Sequence, residues 1–163
     1  MRIRVRVRFS FLFLNAMLFL LRSSRTAAAF YLACGLHELG HIAAIYLTGG
    51  CVRSLDLSAF GVIMTARYTS SAAVLLSGPL VNLVLAAAMY CFGASDTFTW
   101  MQLAAGVFNL LPFSGLDGGS LAELFVTGAP HERELRYVLT ALKILTAGAM
   151  CFFAGAIAFW QEI

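Results

Sequence analysis

Charge is what this sequence lacks most. Of its 163 residues, 12% are Asp, Glu, Lys or Arg, against 61% hydrophobic. A soluble domain carries about a quarter charged residues, so this chain cannot cover a water-facing surface. A greasy soluble helical protein is the competing description, but several apolar runs are long enough to cross a bilayer. Lysine is nearly absent. Lys143 stands alone beside ten Arg, which gather at the ends of apolar runs. No basic stripe with interleaved aromatics exists, which excludes nucleic acid as a partner. The four cysteines, Cys34, Cys51, Cys91 and Cys151, are widely spaced with no CxxC pair. That excludes a disulfide framework and leaves them as small hydrophobes. Cys34 lies one helical turn before His37 and within reach of a metal there, though packing is the plainer account. No small-residue cleavage site follows the first apolar run, only Arg22-Ser23-Ser24-Arg25, so that run is expected to be retained.

What is present falls into five apolar runs. Spans are expected over 9–21, 26–47, 72–92, 98–111 and 137–160, the first of them short for a full crossing. Flanking Arg8 and Arg22 can snorkel to lengthen it. Residues 2–8 alternate Arg with Ile or Val, a strand pattern with one greasy and one cationic face, expected at the membrane surface. Residues 51–69 mix β-branched and aromatic residues with a Gly turn and predict a β-hairpin. Gly49-Gly50 ends the second span and Pro112 the fourth. The segment 113–119 is Gly-rich and expected to be irregular, with a short helix over 120–126 and a polar loop at 130–136. The fold class is therefore an all-α polytopic membrane protein with a small membrane-associated β-sheet, in one domain over 1–163. With the N-terminus cytoplasmic, nine basic residues fall inside and only Arg22 and Arg25 outside, as the positive-inside rule prefers.

His37-Glu38-Leu39-Gly40-His41 carries the chemistry. Two His at i and i+4 share one helical face, so both imidazoles reach one zinc ion. Glu38 adjoins the first ligand, placed to take a proton from a zinc-bound water whose pKa falls toward about 7. On an ordinary soluble helix such a match arises by chance. Within an apolar span three ionisable residues are costly and mark function. A catalytic zinc site uses three protein ligands plus water. The remaining candidates are His131, which suits a solvated loop, and Asp117. Asp117 ends an apolar span on irregular backbone, where Gly118 and Gly119 let the chain turn the carboxylate inward. Asn109, near the end of the same span, suits either an oxyanion donor or helix packing. Asn82 suits an interhelical hydrogen bond.

These residues resemble the site-2 protease family of intramembrane zinc metalloproteases. The resemblance rests on His37-Glu38-Leu-Gly-His41 in a span, then Gly78-Pro79-Leu-Val-Asn82, then Asn109-Leu-Leu-Pro112-Phe-Ser-Gly-Leu-Asp117-Gly-Gly119. It runs from the N-terminal strand to about Leu124 and is strongest to the compact bacterial branch that includes the sporulation-factor-processing protease of spore formers. The resemblance implies a three-helix catalytic core and one Zn2+ per chain held by His37, His41 and Asp117. It also implies Glu38 as general base, Asn109 assisting the oxyanion, and a membrane-protein substrate whose unwound strand joins the sheet. Substrate contacts would fall on Phe60, Gly61, Val62 and Asn82. It places the protein in a bacterial cell membrane with the active site toward the cytoplasm. Four features depart from the family: Ser120 stands where many members have a basic residue, Val62 stands where the branch often has a second Gly, no PDZ or nucleotide-sensing domain is expected, and the last part of the chain offers one clear span where six-helix members have two. An inactive helix-binding relative and a membrane metal transporter or sensor are the rival functions. The first would lack a ligand or the base. The second would string its His and acidic groups along a path.

Overall fold

The computed structural model of the chain describes residues 3–21, 24–58, 61–67 and 71–161. It is mostly helical with one three-stranded sheet. In chain order the elements are β1 (Arg4–Val7), α1 (Phe9–Leu21), α2 (Ser24–Leu47), β2 (Cys51–Ser58), β3 (Gly61–Arg67), α3 (Ala72–Cys91), α4 (Thr97–Asn109), α5 (Asp117–Val126) and α6 (Glu132–Gln161). Two compact units result, residues 1–109 and 110–163.

Three helices are long and apolar enough to cross a membrane: Ser24–Leu47, Ala72–Cys91 and Glu132–Phe152 within α6. The expectation of five spans meets a limit of length here. α1 and α4 have 13 residues each, which is about 20 Å of helix against a hydrocarbon core of about 30 Å. α6 opens at Glu132, five residues ahead of the expected span, so the polar loop shrinks. Lys143, expected on the inner side of the membrane, stands within α6 and meets Glu123 of α5 at 3.6 Å.

In the first unit, α2, α3 and α4 pack on one another and the sheet packs on α2 and α3. α2 stops where Gly49 takes φ 78°. There the amide of Gly50 bonds the carbonyl of Ile45 at 2.8 Å and that of Gly49 the carbonyl of Tyr46 at 3.0 Å. This satisfies carbonyls the helix end would orphan. Ser71 caps α3 by accepting from the amide of Val74. β2 and β3 pair antiparallel as the hairpin pattern predicts, while β1 pairs parallel with β2. A register shift between Val52 and Ser54 turns Val52 to the same face as Leu55. Buried Ile45, Val52 and Val74 then form a small core, joined by Ile42, Ala44, Leu55, Met64 and Ala66. That core fixes the sheet against the turn of α2 that follows His41.

In the second unit, α5 and α6 are linked by Arg136 and Lys143 on Glu123, with Arg136 also on Glu132. The chain reaches α5 through Gly115, whose φ of 93° suits glycine. α5 starts at Asp117, three residues earlier than the expected helix. Gly118 and Gly119 are therefore its first turn, not a loose hinge. A Cβ on Gly118 would strike the carbonyl of Leu110, and one on Gly119 the carbonyl of Phe113. Glycine is present there for close packing.

Candidate metal centre

α2 presents His37 and His41 one turn apart, and their rings meet edge to face, 4.8 Å between centroids at 84°. His37 is 6% exposed. Two glycines make this possible. A Cβ on Gly40 would lie 2.7 Å from the carbonyl oxygen of Ser77 and 3.1 Å from Cα of Gly78, so α2 and α3 cross at contact distance. Gly78 in turn faces the imidazoles. A Cβ there would meet His41 Nε2, and would sit 2.8 Å from His37 Nε2 and 2.8 Å from His41 Cε1. The space beside both nitrogens is kept clear by the missing side chain.

The tautomer of His41 follows from its neighbour. Its Nδ1 lies 2.8 Å from the carbonyl oxygen of Val74, which only accepts, so Nδ1–H donates and Nε2 carries a lone pair. The Ser77 hydroxyl supports the same carbonyl at 2.7 Å and lies 3.3 Å from Nδ1. A carbonyl behind one ring nitrogen is the usual device for orienting a metal-binding imidazole. In front, His41 Nε2 and His37 Nε2 stand 3.2 Å apart. Two nitrogens bound to one tetrahedral zinc at 2.0–2.1 Å are about 3.3 Å apart. The donor type, the spacing and the clear space at Gly78 all fit a zinc ion.

The other expected residues are placed as follows. Glu38 is half-buried beside His37 on α2. Asp117 is half-buried at the first position of α5, where a carboxylate also complements the helix dipole. Asn109 closes α4, and its amide donates to the carbonyl of Ala105 at 3.0 Å. Asn82 is fully buried in α3 and donates to the carbonyl of Ala33 at 3.2 Å, an interhelical bond one turn from the His37–Gly78 approach. Gly61 and Val62 lie on β3, opposite Ser58 and Leu57 of β2, and Phe60 lies outside the described residues. Reading the sequence missed Val74 and Ser77. A backbone carbonyl leaves no trace in residue identity, and a Ser three residues after a Val carries no signal of its own.

No family model and no curated protein matches the chain. Among solved structures, one similar to it is the Site-2 Protease from Methanocaldococcus jannaschii. The match has a TM-score of 0.65 at 17% identity, over 98% of this chain and 83% of that one. The fold is a site-2 protease fold. At that identity the likeness is one of fold. With three helices long and apolar enough to cross a bilayer, the protein is a membrane protein.

Proposed function

We propose that the chain is a zinc-dependent intramembrane endopeptidase that hydrolyses a peptide bond in or near a substrate's transmembrane helix. The observation that carries this reading is the facing pair of His37 and His41 nitrogens, 3.2 Å apart, in a site-2 protease fold. We assign the third ligand to Asp117, an acidic side chain at the first position of α5, because a catalytic zinc site uses three protein ligands and the His pair supplies two. One ion per chain follows. Zinc, when bound, polarises the scissile carbonyl and acidifies the attacking water. Glu38, next to a ligand, takes a proton from that water and returns one to the leaving amine. Asn109 keeps a second amide N–H beyond its bond to Ala105, and we assign it to the carbonyl oxygen as negative charge develops there. The β3 strand, which opens with Gly61 and Val62 and ends the sheet order β1-β2-β3, is the edge to which an unwound substrate segment adds, and Phe60, next to it in sequence, is assigned to the same contact. Asn82 acts from behind, through the α2–α3 crossing.

We further assign the chain to the compact bacterial branch of this family, in a cell membrane with its N-terminus and active site cytoplasmic. The Arg-rich start of the sequence supports that orientation. Neither rival function has an observation in its favour. The sequence keeps Glu38 and both histidines, which an inactive relative would lack, and its remaining His and acidic residues form no file along the apolar runs.

The test is cleavage of a model membrane-helix substrate in liposomes by wild type and by Glu38→Gln, with bound zinc measured on both. Zinc is expected in both proteins and product only from wild type. Equal cleavage would remove Glu38 from the reaction.

A further inference from the structure

β1 is a strand with two unlike faces, and neither is covered. It pairs along one edge only, in the register Arg4↔Ser54, Val5↔Leu55, Arg6↔Asp56 and Val7↔Leu57. Arg4 and Arg6 thus share the polar face of the sheet with Ser54 and Asp56, while Val5 and Val7 continue the apolar face of Leu55 and Leu57. On β2 and β3 that apolar face is packed: Leu55 and Met64 lie against the core of Ile45, Val52 and Val74. On β1 it is bare, with Val5 61% and Val7 52% exposed. Exposed apolar side chains follow at the start of α1, where Phe9 is 80% exposed. The join is tight, since the amide of Arg8 bonds the carbonyl of Leu57 and the amide of Phe11 bonds that of Arg8.

The opposite face is cationic and nearly unpaired. Arg6 reaches Asp56 only at 4.0 Å, and Arg4 and Arg8 form no ion pair among the described residues. An edge strand this greasy would invite aggregation in water. In a headgroup layer both faces find a partner. Guanidinium groups bind phosphate oxygens in pairs, and the apolar side chains reach the acyl boundary. An anionic leaflet attracts each added Arg further.

We propose that β1, with the opening of α1, is a binding strand for anionic phospholipid, in which Arg4, Arg6 and Arg8 hold headgroup phosphates while Val5 and Val7 enter the acyl boundary. β2 connects this strand to the core beside His41, so lipid composition sets how firmly the sheet is held. The inference rests on membrane placement alone and stands whether or not the chain cuts peptides.

The experiment is amide hydrogen exchange on the whole chain in nanodiscs of phosphatidylcholine alone and of phosphatidylcholine mixed with phosphatidylglycerol. The β1 amides are expected to exchange at least about tenfold slower in the anionic discs. About 1 M salt, with its Debye length near 3 Å, should remove most of that difference in wild type. The combined Arg4→Gln, Arg6→Gln and Arg8→Gln variant should lose it, and the matching triple Lys variant should keep much of it. Amides of α2 and α3, followed in the same run, show whether each variant is folded, and the salt arm needs no variant. Equal exchange in the two lipids overturns the proposal, as does protection that survives the Gln variant. Protection by free inorganic phosphate in neutral discs also overturns it, since the site would then read an anion and not a lipid surface.

Discussion

Gly78 presents bare backbone to His41: a Cβ at that position would meet the imidazole Nε2 and press on His37 Nε2 as well. In an ordinary helix, replacing Gly with Ala stabilises by about 1 kcal/mol. Here the gain in helix propensity and the loss of space act on different properties. Gly78→Ala is expected to leave thermal stability unchanged or slightly raised, because the rings can swing aside. The same swing separates the two nitrogens, so zinc affinity should fall by about 10–100-fold, the range seen when support of a ligand is lost. Calorimetric unfolding and competitive zinc titration measure the two sides. Unchanged affinity would mean that the metal is held elsewhere than between these rings.

Asp117→Asn keeps the shape of the side chain and removes its charge. If the carboxylate is the third ligand, the variant should lose zinc to a chelator at least about tenfold faster than wild type while its helix content stays the same. Metal content after dialysis, with circular dichroism alongside, decides it. Undiminished retention would shift the third-ligand role to another side chain, with His131 tested next.

The His pair was legible because i and i+4 on a helix are one turn apart whatever the surrounding fold. Gly78 was legible only as part of a Gly-Pro pair. That it faces two imidazoles depends on a helix crossing far away in sequence. The same cause hid the start of α5. Gly118 and Gly119 suggest a turn by propensity, and close approach to Leu110 and Phe113 overrides that preference. The hairpin of β2 and β3 follows from local pattern, whereas the parallel pairing of β1 with β2 joins strands about fifty residues apart and has no local signature. The count of five spans is not confirmed by helix length. Apolar composition marks α1 and α4 as membrane-like, and only their measured extents separate them from the three long helices.

Asn82 gives a test of how the helix crossing holds the site. Its bond to the carbonyl of Ala33 lies in an apolar interior, where such bonds average about 0.6 kcal/mol and reach about 1.7. Asn82→Ala should cost about 0.5–2 kcal/mol, including the space it leaves. Asn82→Asp should cost clearly more at neutral pH, because a buried carboxylate would face a carbonyl that cannot donate to it. Unfolding of both variants in mixed micelles supplies the ranking. A milder effect for Asp than for Ala would show that water reaches this crossing.

Asp96 supplies a pH dependence whose sign can be worked out. It precedes α4 and accepts from the amide of Thr99 at 3.0 Å and from the Thr99 hydroxyl at 3.0 Å. The amide bond, then the hydroxyl, hold its carboxyl below the ordinary carboxylate value, which is about 3.9. A depressed pKa means that the ionised form favours the folded state. The contribution is therefore complete above about pH 5, well clear of the unfolded value, and is lost as pH falls through the lowered folded value. Asn caps a helix nearly as well as Asp but does not ionise, so Asp96→Asn should fold normally and lack this part of the acid sensitivity. The measurement is thermal stability in detergent from neutral pH to about pH 3, wild type against variant. The two curves should stay parallel above about pH 5 and converge below it as wild type loses its advantage. Curves that remain parallel to the acid end would show that the Asp96 charge does nothing for the start of α4.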